Sequence, residues 1–329
     1  MDTKLFIEML SIDSTSGQER AMGEFLVSCL KTPANTVESF EVGDGTINIL
    51  AKWGEPKVYF CSHMDTVPPY IPPQLHSDRI TGRGSCDAKG QVFAMFEACR
   101  RLEAEGRTGF ALLVLSGEET GSFGAKAYTR DCQGGEIVIV GEPTDNRMVT
   151  ASKGTKSFDV RILGKSCHSG YPERGVSAVE RFIDFMEKVR TTGFPEDKVL
   201  GPTTYNVGLL SSPNQQNILS PELTFRIYFR TTFASDAAVC GFMESMKNEF
   251  TEITARGGDT PMEYLTVAGI PQTTVAFGSD APQLHKFSRR ALCGPGSILV
   301  AHTPDEFVLL EDLEKAAGQY VKMYKELTK

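Results

Sequence analysis

The sequence predicts an α/β chain: a mostly parallel sheet with helices on both faces, and a smaller α+β unit inserted into it. Three observations carry that prediction. Short apolar runs bounded by glycine or polar residues alternate with stretches of helical periodicity. One internal region breaks that alternation and reads strand, helix, strand, strand, helix, strand. The length, 329 residues, exceeds what one hydrophobic core usually serves, so two domains are expected.

The elements follow in chain order. The opening "MDTKLFIEMLSIDSTSGQERAMGEFLVSCL" reads as amphipathic helix. Apolar runs at Val58–Cys61, Phe110–Leu115, Glu136–Val140 and Ser297–Ala301 are too short for helices and read as buried strands. Between the first two runs, Val92, Met95, Phe96, Cys99 and Leu102 recur at helical spacing, and Gly106 marks a stop. From residue 153 to 256 the pattern is different. "KSFDVRILG" alternates as a half-exposed strand and "GVSAVERFIDFMEKVR" is an amphipathic helix; "TTYNVGLL" and "LTFRIYFRTT" are strands, "SDAAVCGFMESMKNEF" a helix and "TEITAR" a last strand. The order β-α-β-β-α-β is ferredoxin-like. The expected division is therefore 1–152 with 257–329 for the larger domain, and 153–256 for the insertion.

Composition narrows the function. A net charge of −8 with no basic run argues against nucleic acid or an acidic membrane surface as partner. No apolar stretch approaches the ~20 residues of a membrane span, and the N-terminus has no uninterrupted apolar core of a signal peptide. The eight cysteines form no C-x-x-C pair and read as reduced, mostly buried thiols, which points to a cytoplasmic protein.

Chemistry gathers where the predicted strands end. "SHMDTVP" brings His63 and Asp65, "SGEETG" brings Glu118 and Glu119, "GEPTD" brings Glu142, and "HTPDE" brings His302. Asp87 stands in the glycine-rich turn "GRGSCDAKG" before a helix. A parallel sheet collects such groups at one edge. Two histidines and several carboxylates converging there suit divalent metal, and their number exceeds the needs of one ion. Two ions sharing one carboxylate would use five ligands. His76 and His285 lack such placement and read as surface or turn residues. Other motifs fail: "GRGSCDAKG" has Asp87 where a dinucleotide loop needs its third glycine, "GKS" at 164–166 lacks the P-loop's first glycine, and no G-x-S-x-G occurs.

Taken in order, "SHMDTVP", "GRGSCDAKG", "SGEETGS", "GEPTD" and "AHTPDE" resemble the successive signatures of the acetylornithine deacetylase and succinyl-diaminopimelate desuccinylase family. That family also holds carboxypeptidases, dipeptidases and aminoacylases with two zinc ions, on a zinc-exopeptidase-like fold. The resemblance implies that His63 and Glu142 bind one ion, Glu119 and His302 the other, and that Asp87 bridges them. It implies that Asp65 orients His63 and that Glu118 is the catalytic base. Two divalent ions are thus expected, zinc first, with cobalt or manganese as alternatives.

In the inserted domain, His168 of "GKSCHSGYP" matches the family's lid histidine, which steadies the developing oxyanion, often from the partner in a homodimer. Asn217 and Arg230 match residues that hold a substrate carboxylate, with Arg226 a rival. Two stretches depart from the family pattern. One is Asn-Ile-Leu-Ser-Pro from Asn217 onward; the other is "FGSDA", where Ser279 is a further substrate-binding candidate. The implied substrate is a small N-acyl amino acid, N-acetylornithine foremost, in arginine-type biosynthesis. The alternatives are a dipeptidase or carboxypeptidase of the same chemistry, and a non-catalytic binding protein that kept the fold. Retention of Glu118 beside a complete ligand set argues against the last.

Overall fold

The computed structural model describes residues 1–43, 45–132 and 134–329. They fall into two compact units: Met1–Thr150 with Tyr264–Thr273 and Ser279–Lys329, and Ala151–Glu263 with Thr274–Gly278. The second unit thus runs on from the expected 153–256 to Glu263 and takes in 274–278.

In the first unit six strands form one sheet, in the order Thr36–Gly43, Thr46–Trp53, Phe110–Leu115, Val58–His63, Gly135–Val140, Phe287–Leu292. The last four are parallel, and the first two add antiparallel pairing at one edge. Every residue of Val58–His63 and Phe110–Leu115 is buried, as expected for parallel strands covered on both sides. Alternation along Val58–His63 shows the two covers. Phe60 meets Tyr320 of the helix Leu310–Leu327, with ring centroids 5.8 Å apart. Its neighbour Tyr59 points the other way, to Phe287 at 5.0 Å, and Phe287 in turn stacks on Tyr128 of the helix Phe123–Asp131. The helix Lys89–Ala104 packs with Leu310–Leu327, and its Phe93 stacks on Phe6 of the helix Thr3–Ser11 at 4.8 Å. All five apolar positions read as its inner face are buried.

The second unit holds a four-stranded antiparallel sheet in the order Thr204–Ser211, Glu222–Thr231, Gly154–Leu163, Thr251–Gly257. The helices Ala178–Thr191 and Asp236–Ser245 cover one face. Phe158, Val160 and Ile162 alternate with polar neighbours to meet Leu223, Phe225, Ile227 and Phe229 in a separate core.

Two expected elements differ. Ser297–Ala301 is a turn, with the Val300 N–H donating to the Ser297 carbonyl at 3.2 Å and Leu299 84% exposed. Gly294-Pro295-Gly296 precedes it, and Gly296 at φ +76 cannot continue a strand, so the sixth strand is Phe287–Leu292 instead. The N-terminal helix is two helices, Thr3–Ser11 and Arg20–Leu30. Asp13 accepts from the Thr15 N–H at 3.0 Å, and Gly17 takes φ +92, which together turn the chain between them. The buried Lys89 ammonium seals the first helix end by donating to the carbonyls of Met9 and Ile12 at 3.2 and 2.6 Å.

All eight cysteines are free thiols; Cys61, Cys86, Cys99 and Cys293 are buried, and Cys240 is exposed. Fewer are buried than the sequence suggests. Among the described residues, no helix is long and apolar enough to cross a membrane.

Candidate metal centre

Parallel strand ends bring most of the site together. His63 closes Val58–His63, Glu118 and Glu119 follow Phe110–Leu115, and Glu142 follows Gly135–Val140. Gly117 at φ +67 makes the reversal after the second strand, a conformation that strains any other residue. Asp87 sits in the turn that opens the helix Lys89–Ala104. That turn lies tight on the helix: a Cβ on Gly90 would stand 2.3 Å from the Ser85 carbonyl. His302 reaches the site from a turn rather than a strand end, with its own backbone at φ +63.

The distances define a cluster. One ligand atom each from His63, Asp87 and Glu119 lie within 4.8 Å of one another. The Asp87 carboxylate spans both histidines, Oδ1 at 3.3 Å from His63 Nε2 and Oδ2 at 3.4 Å from His302 Nε2. His302 Nε2 is also 2.8 Å from Glu119 Oε1. Behind His63, Asp65 stands 3.3 Å from Nδ1. The same buried carboxylate accepts the backbone N–H groups of Glu118 and Glu119 at 3.0 and 3.1 Å and the Ser16 hydroxyl at 2.8 Å. Asp65 therefore fixes a histidine and the double-glutamate turn at once, the kind of outer support that metal ligands need.

Burial and charge set the protonation states. Burial raises Glu118 and Glu142 well above the ordinary glutamate value, and neighbouring acids, Asp280 among them, add to it. Burial alone would lower His63, but hydrogen bonds to Asp65 and Asp87 outweigh it and leave the value well above 6.5. Burial would raise Asp87, yet His302 and His63 hold it well below the usual carboxylate range. Asp87 and Glu119 raise His302 to about 10. Its protonated form therefore stabilises the metal-free fold fully below the ordinary histidine value, and that contribution is lost as pH rises through about 10.

The residues fit a divalent ion. Imidazole and carboxylate donors without thiolate suit zinc and its neighbours. Among the described residues Glu142 Oε1 is buried without a hydrogen-bond partner, which is costly unless a cation takes its lone pairs. A ligating histidine must be neutral, so zinc added at pH 7 should displace the His302 proton, and affinity should climb as pH rises toward about 10. Calorimetry in buffers of different ionisation enthalpy should register at least about one proton released per chain. A heat that does not depend on the buffer contradicts this protonation scheme.

The remaining expected residues are placed as follows. In the second unit, the exposed His168 accepts from the Gly170 N–H through Nδ1 at 3.0 Å. Its turn pairs with the Asn217 segment, the Ser169 N–H donating to the Asn217 carbonyl at 2.9 Å. Arg226 is committed to Asp159 at 2.6 Å, whereas the Arg230 guanidinium lies over the Tyr228 ring at 4.8 Å. In the first unit Ser279 is buried, its hydroxyl accepting from the Ala281 N–H at 3.3 Å.

Three residues escaped the sequence reading. Asp280, next to Ser279, is 1% exposed; burial lifts it to about 7, and its charge is felt by Glu118 and Glu142. Ser16 holds Asp65 from a turn with no motif of its own. Glu306, at the end of "HTPDE", accepts the Asp87 N–H at 3.0 Å.

Known proteins resemble this chain throughout. Residues 59–326 match the family described as Peptidase family M20/M25/M40. A peptidase M20 domain-containing protein of Schizosaccharomyces pombe is 34% identical, over 96% of this chain and 82% of its own length. A probable carboxypeptidase of Aspergillus clavatus is 32% identical, over 96% and 80%. In fold, the chain is similar to a tripeptidase of Staphylococcus aureus, with a TM-score of 0.84 at 20% identity over 98% of this chain and 96% of that one.

Proposed function

The chain belongs to Peptidase family M20/M25/M40, and from that premise we propose that it cleaves short peptides as a carboxypeptidase or dipeptidase with two divalent ions, zinc by preference. Membership makes it a metal-dependent enzyme that hydrolyses amide bonds. Relatives described as probable carboxypeptidases favour peptides over N-acetylornithine, the substrate the sequence motifs put first.

The observation that carries the reading is the paired role of Glu118 and Glu119. Asp65 grips both backbone N–H groups, yet only Glu119 joins the histidine cluster. His63 and Glu142 would hold one ion, Glu119 and His302 the other, with Asp87 between. Ions bound there supply Lewis-acid polarisation of the amide carbonyl and acidify water. Glu118 takes the proton of the attacking water and returns it to the departing amine, first base and then acid. Burial raises the Glu118 carboxyl well above the ordinary glutamate value, the direction that favours returning the proton to the amine. By family resemblance, His168 steadies the developing oxyanion, within its own chain or across a homodimer, while Asn217, Arg230 and Ser279 hold the substrate's carboxylate.

A release assay tests substrate class. Dipeptides with a free C-terminal carboxylate should be cleaved faster than their C-terminal amides, and faster than N-acetyl or N-succinyl amino acids. Arg230→Ala should lower kcat/KM for the free acids by roughly 30-fold to several thousand-fold, the scale of losing one partner of a desolvated charge pair. The same change should hardly affect the amides. N-acetylornithine as the best substrate would restore the deacetylase reading. Equal turnover of amide and free acid would move an aminopeptidase ahead.

A further inference from the structure

The turn that presents Asp87 is filled by a carboxylate of the chain itself. Glu306 Oε1 accepts three backbone N–H groups, from Gly84 at 2.9 Å and from Cys86 and Asp87 at 3.0 Å each. Backbone amides of one turn converging like this make a concave site for an anion. The occupant here is an internal side chain, 1% exposed. Its second oxygen receives the equally buried Arg83 guanidinium at 2.5 Å. The contacts continue into the chain around His302. Arg83 also donates to the Thr303 carbonyl at 3.3 Å, and the Gly82 N–H donates to the Glu306 backbone carbonyl at 3.0 Å. Cys86 Sγ adds a contact to the Ser297 carbonyl at 3.4 Å.

These contacts join two segments that each carry a ligand of the cluster. Asp87 belongs to the first. His302 belongs to the second and has its backbone at φ +63, a conformation that a non-glycine residue keeps only when its surroundings impose it. A buried ion pair of this kind is weak support for stability alone, since an apolar pair of the same volume often does as well. Three amides aimed at one oxygen serve geometry instead.

We propose that Glu306, with Arg83 as its counter-charge, is a positioning residue that locks the Asp87 turn to the His302 turn, so that ligands far apart in sequence are presented as one unit. In its consequence for metal this rests on the two-ion reading above. The ion held by Asp87, Glu119 and His302 takes two of its ligands from the locked turns, so it should depend on the lock more than the ion at His63 and Glu142.

The test is Glu306→Gln, which keeps volume and removes charge. Hydrogen exchange of the metal-free protein should show the segments 82–88 and 297–306 exchanging faster together, each by at least ~10-fold, the effect of losing one hydrogen bond to a charged group. Cobalt titration, followed by its visible absorption, should show one uptake phase weakened at least ~10-fold and the other changed little. Arg83→Met should reproduce both effects, and Arg83→Lys, which keeps the charge, should largely spare them. If Glu306→Gln does not fold by circular dichroism, the comparison of Arg83→Met with Arg83→Lys decides in its place. Wild-type exchange in the Asp87 turn, or loosening of only one segment, overturns the proposal. So does an equal weakening of both ions in step with a lower Tm. If the wild-type protein takes up a single ion, the two-ion reading fails, and the exchange result alone decides the positioning role.

Discussion

Glu118→Gln is expected to retain metal close to the wild-type level while kcat falls by at least ~10²-fold, the usual scale for a general base. Glutamine keeps the size of the side chain, and the Glu118 backbone N–H stays on Asp65. What disappears is the capacity to take and return a proton. The pH profile should change as well, because a carboxyl raised by burial titrates on the acid limb of the rate and the amide does not. If metal leaves together with activity, Glu118 is a ligand and the division of labour between the paired glutamates is wrong. Near-normal turnover would remove it from the mechanism altogether.

Asp87→Ala should do the opposite and empty the site. One carboxylate faces both histidines, at 3.3 and 3.4 Å, so its loss takes a donor from each proposed ion. Activity should fall at least as far as in Glu118→Gln, and metal analysis should show the cause. The same substitution should bring His302 down from about 10 toward the ordinary histidine range, because the largest contribution to its shift comes from Asp87. Proton NMR of the metal-free variant can follow that ring directly. Full metal occupancy would strike Asp87 from the ligands, and an unmoved His302 would contradict the electrostatic account.

Much of this site was legible because strand ends are legible. Runs such as Phe110–Leu115 have a single reading, and the acid or histidine after each is fixed in space by the sheet. His302 was found by its motif and assigned to the wrong carrier, since Ser297–Ala301 has strand composition but follows Gly294-Pro295-Gly296. Asp280 and Glu306 were missed for another reason. Each is an acid in a polar, turn-like stretch, where acids are ordinarily solvated, and only tertiary contact buries them. The break at Gly17 was hidden by an apolar pattern that fits one helix as well as two. At the far end of the second unit no composition shift marks the short pieces, Tyr264–Thr273 and Thr274–Gly278, that contacts assign to different units.

The sixth strand of the larger sheet has a consequence in time. Phe287–Leu292 pairs with Gly135–Val140, yet the whole inserted unit is synthesised between them. As the chain leaves the ribosome, His63, Asp87, Glu118, Glu119 and Glu142 emerge early, around a sheet that still lacks its last strand beside Gly135–Val140. The second unit has its own core and antiparallel sheet and can fold while that place waits. Closure is a long-range step, and such steps come late because loop-closure entropy must be overcome before any contact rewards it. Asp280, His302 and Glu306 arrive only with the closing segment. A nascent chain would thus hold an incomplete set of ligands for most of its synthesis, and a competent site would be among the last things the molecule makes.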